Sequence, residues 1–379
     1  MVVTRAGGEL SVDGMTPRVR ERPDTPEELA QLLGAAAAAG QAVVAIGGGR
    51  ALGMGDCLSR FDLGMETTGL DRIIQHSQAD LTLVVEAGVT LEQLNEQLER
   101  AGQFLPLDPF ASPGHTIGGL LATGWSGPRR LRYGTPRDFL IGLRVALPDG
   151  RLVRSGGYVV KNVSGYDLNK LHLGALGSLG VIVEAAFKLF PRPLAEATVQ
   201  TREPDLEAAW REARRALELK LPPTALELES SGESGFRLTA RIEGTGDAVA
   251  RVRRELGWEA AGDGFWDAYC QQTASTWARV SVAPIRLVEV LRQLPQAARW
   301  FAHAGNGVVH WFDGEAAAMR DVREVAERMG GALVLLAAPT ELKRQLGAFG
   351  RDPSGIELMR GLKAAFDPRG VMSPGRYVV

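Results

Sequence analysis

The sequence predicts an α+β fold arranged in more than one domain. Its 379 residues exceed the roughly 100–200 residues of a typical single domain. The first part, up to residue 193, alternates helix and strand patterns around a glycine-rich stretch at residues 108–134. Residues 194–350 run strand, helix, strand, strand, helix twice over, which predicts a ferredoxin-like duplication with one antiparallel sheet and helices on one face.

The first helix and strand lead directly into a run of glycines. Thr25 and Glu28 have the spacing of a capping box around Pro26, and an apolar strand over residues 41–46 follows the helix. Gly47, Gly48 and Gly49 come next. Consecutive glycines after a buried strand can point several N–H groups at one anion. A plain tight turn is the alternative reading of this loop.

The rest of the first domain shows clear element signals. Thr90 and Gln93 cap a helix whose buried stripe contains Leu91, Leu94 and Leu98. Pro191 and Pro193 mark the domain boundary. The other predicted elements are strands at residues 61–64 and 81–87, a hairpin of 139–147 with 151–154, and a strand at 180–189.

The stretch at residues 108–134 combines glycine and proline with apolar side chains such as Ile117, Leu120 and Trp125. Glycine lets a backbone or ligand approach closely, whereas proline removes donors. We therefore expect an ordered loop with one wall in the core and bare backbone against a large flat ligand. Packing alone is the alternative explanation of the glycines.

Composition excludes several classes of protein. A formal charge of −2 gives no reason to expect nucleic acid. Cys57 and Cys270 are too few for a disulfide framework or an iron–sulfur cluster, which needs about four thiolates. No apolar run reaches the ~18 residues of a membrane span. We expect a cytoplasmic protein, with at most peripheral membrane association through a complex.

The second part also contains aromatic and C-terminal features with structural interpretations. Trp266, Trp277, Trp300 and Trp311 are expected in the core or at a subunit interface. A C-terminal helix with Ile356, Met359, Leu362 and Phe366 on one side is expected to return to the first domain. The predicted domains are residues 1–193 and 194–350, with 351–379 as the returning segment.

Five motifs in order carry a family resemblance: the three-glycine loop, SPGHTIGGLLATG, SGPRRLRYG, VVKNVSGYDLNKL and GSLGVI. Together they resemble the FAD-binding domain of the vanillyl-alcohol-oxidase (PCMH-type) superfamily. The closing MRGLKAAFDPRGVMSPGR also matches that family. Within it, the sequence is most similar to FAD-binding subunits of bacterial glycolate oxidases.

The resemblance implies a two-lobed domain with noncovalent FAD between the lobes. His115 does not match the position of the covalent linkage that some relatives use. Ile46 and Arg50 depart from the Arg and Thr that often flank the glycines, so binding would rest on backbone amides. The implied cofactor-binding residues are Gly47, Gly48, Gly49, Arg50, Ala51, Leu52, Pro109, Ser112, Pro113, Thr116, Ile117, Gly118, Gly119, Ala122, Gly124, Ser126, Gly127, Tyr133, Gly134, Lys161, Asn162, Gly180, Val181 and Ile182.

Catalytic candidates are His303, His310 and Arg279. The histidines flank a predicted turn, and one of them would take the hydroxyl proton of a 2-hydroxy acid. Arg279 could bind its carboxylate bidentately. Structural roles are the alternative for all three. Related oxidases complete a metal site with a downstream Glu-His-Gly that is missing here, so we expect no metal.

Three functions remain open. The first is the FAD-binding subunit of a glycolate-oxidase-like complex, with a homologous catalytic FAD subunit and a separate iron–sulfur subunit as partners and a small 2-hydroxy acid as substrate. The second is a stand-alone FAD-dependent 2-hydroxy acid dehydrogenase. The third is a non-catalytic, flavin-carrying subunit that stabilises a catalytic homologue. The basic run at residues 128–132 could meet the pyrophosphate or a partner, or be solvated.

Overall fold

The computed structural model describes residues 3–6, 9–110, 113–157, 168–230 and 235–379. Three of the predicted cofactor-binding residues, Ser112, Lys161 and Asn162, lie outside these ranges. Among the described helices, none combines the length and apolar character needed to cross a bilayer. Helices and strands both contribute heavily, which confirms the α+β class.

The first lobe is built on a small parallel sheet. Its elements are β1 (Val3–Ala6), β2 (Glu9–Val12), β3 (Val19–Glu21), α1 (Pro26–Ala38), β4 (Val43–Ile46) and β5 (Leu63–Glu66). The parallel strands lie in the order β3-β5-β4. Thr25 accepts the Glu28 N–H at 3.1 Å, as a capping box requires. The Glu28 carboxylate, however, accepts from the Asp24 N–H instead of the Thr25 N–H.

The second lobe is an antiparallel sheet with the glycine-rich stretch beside it. Its elements are β6 (Ile73–Ser77), β7 (Thr82–Glu86), α2 (Leu91–Arg100), β8 (Gln103–Phe104), α3 (Ile117–Thr123), α4 (Arg130–Tyr133), α5 (Pro136–Phe139), β9 (Leu140–Ala146), β10 (Leu152–Gly156), α6 (Asn169–His172), β11 (Val181–Lys188) and β12 (Phe190–Pro191). The sheet order is β10-β9-β11-β7-β6. The capping box of α2 and the β9–β10 hairpin are confirmed.

The remaining chain folds into a larger antiparallel sheet. Its elements are β13 (Ala195–Glu203), α7 (Leu206–Leu217), β14 (Ala225–Ser230), β15 (Phe236–Gly244), α8 (Gly246–Leu256), β16 (Glu259–Ala260), α9 (Phe265–Cys270), β17 (Trp277–Ser281), α10 (Leu287–Leu291), β18 (Arg299–His303), β19 (Val308–Phe312), α11 (Ala316–Arg328) and β20 (Ala332–Ala337). Among the described strands the order is β16-β13-β15-β14-β18-β19-β17-β20. Each half repeats a 4-1-3-2 strand order, and the halves join through β14 and β18. The predicted duplication is confirmed.

The two faces of this sheet pack against different parts of the protein. Apolar residues on one face pack with α7, α8, α10 and α11, and this core includes Trp300 and Trp311. The opposite face joins the core of the second lobe through Trp266, Trp277 and Phe110. The predicted tryptophan group is therefore split. Trp277 points to one face of the sheet and Trp300 and Trp311 to the other, because alternate residues of a strand point to opposite faces, whereas Trp266 lies on α9. The second face is therefore buried against the second lobe.

The last part of the chain contains α12 (Thr340–Leu346) and α13 (Ile356–Phe366) and closes onto the first lobe. Phe366 meets the ring of His172 edge-on at 5.7 Å, so α13 does return to the first part of the chain. After α13, Ser373 donates its N–H to the Val43 carbonyl at 2.9 Å. The boundaries at residues 193 and 350 stay a prediction.

Candidate functional site

A groove lies between the two lobes, where the loop after β4 approaches α3. Its main part has a volume of about 620 Å³ and its second part a volume of about 440 Å³, and both volumes include space that is open to solvent. Both parts are lined by Ala45, Gly47, Gly119, Ala122 and Gly177. These shared walls make the two parts one continuous groove.

The loop over residues 47–52 forms one wall of the groove. Within the described chain, the N–H groups of Gly48, Gly49, Arg50 and Ala51 have no hydrogen-bond acceptor. A Cβ at Gly48 would lie 1.7 Å from the carbonyl oxygen of Gly114, so only glycine fits there. Gly49 has a φ of +75°. Unpaired amides on a glycine loop suit the phosphates of a dinucleotide.

The opposite wall is formed by the first turns of α3. Thr116 caps this helix by accepting the Gly119 N–H at 3.3 Å. Gly118 packs against β7, since a Cβ there would lie 2.8 Å from the Cβ of Ala87. Thr116, Gly118, Gly119 and Ala122 line the groove, as the sequence predicts.

The second part of the groove is lined by Gly180, Val181 and Ile182 at the start of β11. His172 lies on the same wall and is buried. Burial lowers the pKa of His172 to about 4, so the ring is neutral near pH 7. Neutral and apolar walls at this end suit a flat aromatic ring system.

Several predicted cofactor-binding residues line neither part of the groove. Ile117 is fully buried in the core, and Gly127 packs against the Asp108 backbone. Tyr133 lies edge-on to Phe104 at 5.4 Å. The others in this group are Pro109, Pro113, Gly124, Ser126 and Gly134. Contact of these residues with the cofactor stays a prediction.

Other residues that line the groove were not predicted from the sequence. They are Val44, Ala45, Met54, Thr67, His115, Thr123, His172, Ala175, Leu176, Gly177, Leu179, Ser373 and Arg376. Two signals could have found some of them: the glycines around residues 174–180 and the closing Ser-Pro-Gly-Arg segment. Neither signal shows by itself that these segments meet the loop after β4.

His303 and His310 lie on the face of the large sheet that meets the second lobe, and both are buried. Nδ1 of His303 lies 2.8 Å from Oε1 of Glu227. The hydroxyl of Tyr269 donates to the other oxygen of this carboxylate. Nε2 of His303 has no partner in the described chain. Burial raises the pKa of Glu227, although the nearby imidazole opposes that shift.

His310 has a different environment from His303. Its Nδ1 accepts a hydrogen bond from Nε1 of Trp277 at 3.0 Å. Burial, with the charges of His303 and Arg279 nearby, lowers the pKa of His310 well below its usual value. Phe110 is stacked on His303 at 6.0 Å between ring centres, and Phe301 on His310 at 5.0 Å. The rings thus cover the imidazole faces, and Nε2 of His303 is itself buried. Neither histidine lines either part of the groove.

Arg279 is paired with His310 across β17 and β19, so both side chains share this face. Its Nε is buried without a partner among the described residues, and the same holds for Nε of Arg130. Burial and the positive charge of Arg130 lower the pKa of Arg279. Two under-partnered guanidiniums of like charge suit a bound anion.

No three His, Cys, Asp or Glu side chains converge in a metal-binding geometry within the ranges described above. Cys57 and Cys270 are both free thiols. Burial and the nearby Asp108 raise the pKa of the Cys270 thiol, so it stays protonated near pH 7.

Comparison with known proteins identifies a cofactor and the family. Residues 17–166 match the FAD binding domain model, and residues 227–377 match the model of the C-terminal domain of FAD linked oxidases. Glycolate oxidase subunit GlcE of Escherichia coli is 32% identical over 80% of this chain and 84% of its own length. Subunit GlcD of Bacillus subtilis is 27% identical over 95% of this chain and 90% of its own length.

A further relative and a solved structure also match this chain. D-2-hydroxyglutarate dehydrogenase of Stutzerimonas stutzeri is 27% identical over 81% of this chain and 79% of its own length. A solved alkyldihydroxyacetonephosphate synthase superposes with a TM-score of 0.72 at 18% identity, covering 95% of this chain and 76% of its own, which shows a shared fold. The unpaired amides and apolar walls of the groove fit FAD. The chain belongs to the FAD-linked oxidase family of the vanillyl-alcohol-oxidase superfamily, and its cofactor is FAD.

Proposed function

We propose that this chain is the FAD-binding subunit of a glycolate-oxidase-like complex, which oxidises a small 2-hydroxy acid to the 2-oxo acid. Relatives named as glycolate oxidase subunits and as a D-2-hydroxyglutarate dehydrogenase support this substrate class. The observation that carries the proposal is the buried pair of Glu227 and His303, which leaves Nε2 of His303 without a partner among the described residues. When bound, FAD supplies the hydride acceptor for such an oxidation.

The residues on the sheet face can then be given roles. In the tautomer in which Nδ1 of His303 donates to Glu227, the uncharged ring has its lone pair on Nε2, where it can take the hydroxyl proton of the substrate. Arg279, with Arg130 nearby, binds the carboxylate of the substrate. His310 stays neutral and packs beside them.

The cofactor is held noncovalently and its electrons leave through another subunit. His115 lines the groove, but it is buried and its Nε2 lies 2.8 Å from the Phe110 carbonyl oxygen, which favours a structural role. With two cysteines in 379 residues, the chain lacks the roughly four thiolates that an iron–sulfur cluster needs. A homologous catalytic FAD subunit and an iron–sulfur subunit are therefore the expected partners.

A non-catalytic, flavin-carrying subunit is the second candidate. The observation that favours it is the pair of phenylalanine rings, Phe110 and Phe301, stacked on the two imidazoles. In that case the chain would bind FAD and stabilise a catalytic homologue. A stand-alone dehydrogenase is the third candidate, and it needs this chain alone to reduce its flavin with substrate.

One experiment separates these candidates. The complex is purified at native expression, its spectrum is recorded for flavin and iron–sulfur bands, and the flavin is bleached anaerobically with glycolate. We expect a yellow complex with both bands, in which His303→Gln keeps this subunit's flavin but prevents its bleaching. We expect the bleached fraction of total flavin to fall in His303→Gln, and an unchanged bleached fraction would favour the flavin carrier. Bleaching by this chain alone would favour the stand-alone enzyme, and a complex without iron–sulfur bands would contradict the proposed electron path.

A further inference from the structure

Arg376, in the closing segment of the chain, lines the same groove as the glycine loop. The residue is 3% exposed. Its Nη1 donates to Oδ2 of Asp13 at 2.9 Å and to the Asp56 carbonyl at 2.8 Å. Its Nη2 is buried and has no partner in the described chain. One side of the guanidinium is thus fixed, and the other side is available to an acceptor.

Contacts of the neighbouring backbone fix the position of the Arg376 side chain. The Arg376 carbonyl accepts the Asp56 N–H at 3.0 Å. Gly55, with a φ of +90°, leaves room for the side chain, since a Cβ there would lie 2.8 Å from Cδ of Arg376. Such fixed placement reduces the conformational entropy lost when a long side chain binds a ligand.

Arg376 belongs to a buried cluster of charges. The Asp13 side chain is fully buried and lies 2.9 Å from both Nη1 of Arg376 and Nζ of Lys343. The negative charge of Asp56 also acts on Arg376, so two carboxylates balance the two cations. Burial lowers the pKa of both Lys343 and Arg376. The group that suits a phosphate is Nη2 of Arg376, which has no partner among the described residues and belongs to a side chain that lines the same groove as the unpaired amides.

We propose that Arg376 binds the diphosphate of FAD through Nη2, and that Asp13 positions it. The inference rests on FAD lying in this groove and does not depend on which 2-hydroxy acid is oxidised. It assigns a cofactor-binding role to a residue near the end of the chain, far in sequence from the glycine loop and from α3. Lys343 acts on the cofactor only through Asp13, because its Nζ bonds Asp13 and the Gly53 carbonyl.

The test measures flavin affinity in the full chain after its flavin is removed. Arg376→Met and Arg376→Lys are titrated with FAD and with riboflavin, which lacks the diphosphate, and flavin fluorescence is recorded. Arg344→Met is the matched control, because Arg344 is an exposed neighbour of Lys343 on α12. Thermal melting of each apo variant shows whether it is folded.

We expect Arg376→Met to weaken FAD binding by about 10- to 100-fold, the usual effect of losing a charged hydrogen bond, and to leave riboflavin binding unchanged. FAD affinity of the variant should also depend less on salt concentration. Arg376→Lys keeps a cation beside Asp13 and should fall between wild type and Arg376→Met. Should Arg376→Met fail to fold, Arg376→Lys decides by the same criterion.

An FAD affinity within about twofold of wild type in a folded Arg376 variant would overturn the inference. Equal losses for FAD and riboflavin would overturn it as well, since they would indicate a structural effect. The groove itself is tested separately with Gly48→Val. If Gly48→Val retains FAD, the groove is not the FAD site. If Gly48→Val loses FAD but the Arg376 variants retain it, only the role of Arg376 is rejected.

Discussion

Glu227 and His303 face each other across β14 and β18, with Oε1 and Nδ1 2.8 Å apart. These strands are the seam at which the two ferredoxin-like halves of the sheet join. One half supplies the carboxylate and the other supplies the imidazole. Neither half could form this pair by itself, so the duplication that builds the sheet also builds the candidate catalytic pair.

Removing the imidazole should affect stability far more than flavin content. His303→Ala leaves the Glu227 carboxylate buried with Tyr269 as its remaining partner. We expect the free energy of unfolding to fall by about 3 kcal/mol, as for other broken buried pairs. Urea denaturation followed by circular dichroism measures this, and absorbance at the flavin band measures FAD content. A drop to apo protein under native conditions would show that His303 is misplaced.

His76→Ala is a matched control for that variant. His76 is half-buried on β6, far along the chain from His303, and its Nε2 lies 2.8 Å from Oε1 of Gln103. Losing this single hydrogen bond should cost about 1 kcal/mol. A loss as large as that of His303→Ala would mean that burial of Glu227 is not the cause.

The glycine loop gives a direct test of the FAD groove. A side chain at Gly48 would collide with the Gly114 carbonyl and push the loop away from α3. We expect Gly48→Val to abolish FAD retention while the large sheet stays folded. The ratio of flavin to protein absorbance reports retention, and the far-ultraviolet circular dichroism reports the fold. Full occupancy in the variant would place FAD elsewhere.

Burial of His172 should make stability depend on pH. Its pKa is lowered to about 4, from 6.5 for an unperturbed histidine. Between these values the unfolded chain binds more protons than the folded chain, so the free energy of unfolding decreases as pH falls from about 6.5 to about 4. His172→Leu removes this titration. The melting temperature of wild type should therefore decrease more steeply than that of His172→Leu over this range, and parallel curves would contradict the assignment.

The exposed helix α13 offers a stabilising substitution. Gly361 lies within α13, and a Cβ there would meet nothing within 4 Å. Gly361→Ala should raise the free energy of unfolding by about 0.5–1 kcal/mol, because glycine loses more backbone entropy in a helix. Gly124→Ala should do the opposite, since Gly124 ends α3 with a φ of +63°. Urea denaturation of both variants checks the pair, and no gain in Gly361→Ala would mean that α13 is not folded as described.

Much of the fold could be predicted from local patterns. Thr90 and Gln93 identify the start of α2 because both capping partners lie within one turn of helix. The doubled element order predicts the duplicated sheet because strand and helix periodicities are local properties. For the same reason the loop at residues 47–52 could be assigned to the groove from its position after a buried strand.

The candidate site was only partly predictable. His303 and His310 stand out as histidines flanking a turn, but Glu227 gives no such signal. On its strand, Glu227 alternates with Leu226 and Leu228, a pattern that usually indicates a solvated carboxylate. Its burial depends on the pairing of β14 with β18, and that register follows from how the two halves pack. Arg130 was missed as a neighbour of Arg279, because an arginine in a loop is usually solvated.

By itself, the sequence determined the class of fold, the capped helices, the glycine loop and the family of FAD-binding proteins to which the chain belongs. These features depend on residues close together along the chain. Only the tertiary structure decided that Glu227 meets His303, and that Asp13 and Arg376, 363 positions apart, form an ion pair beside the groove. The reason is physical: burial of a charge and its choice of partner depend on packing between distant segments, which no local pattern records.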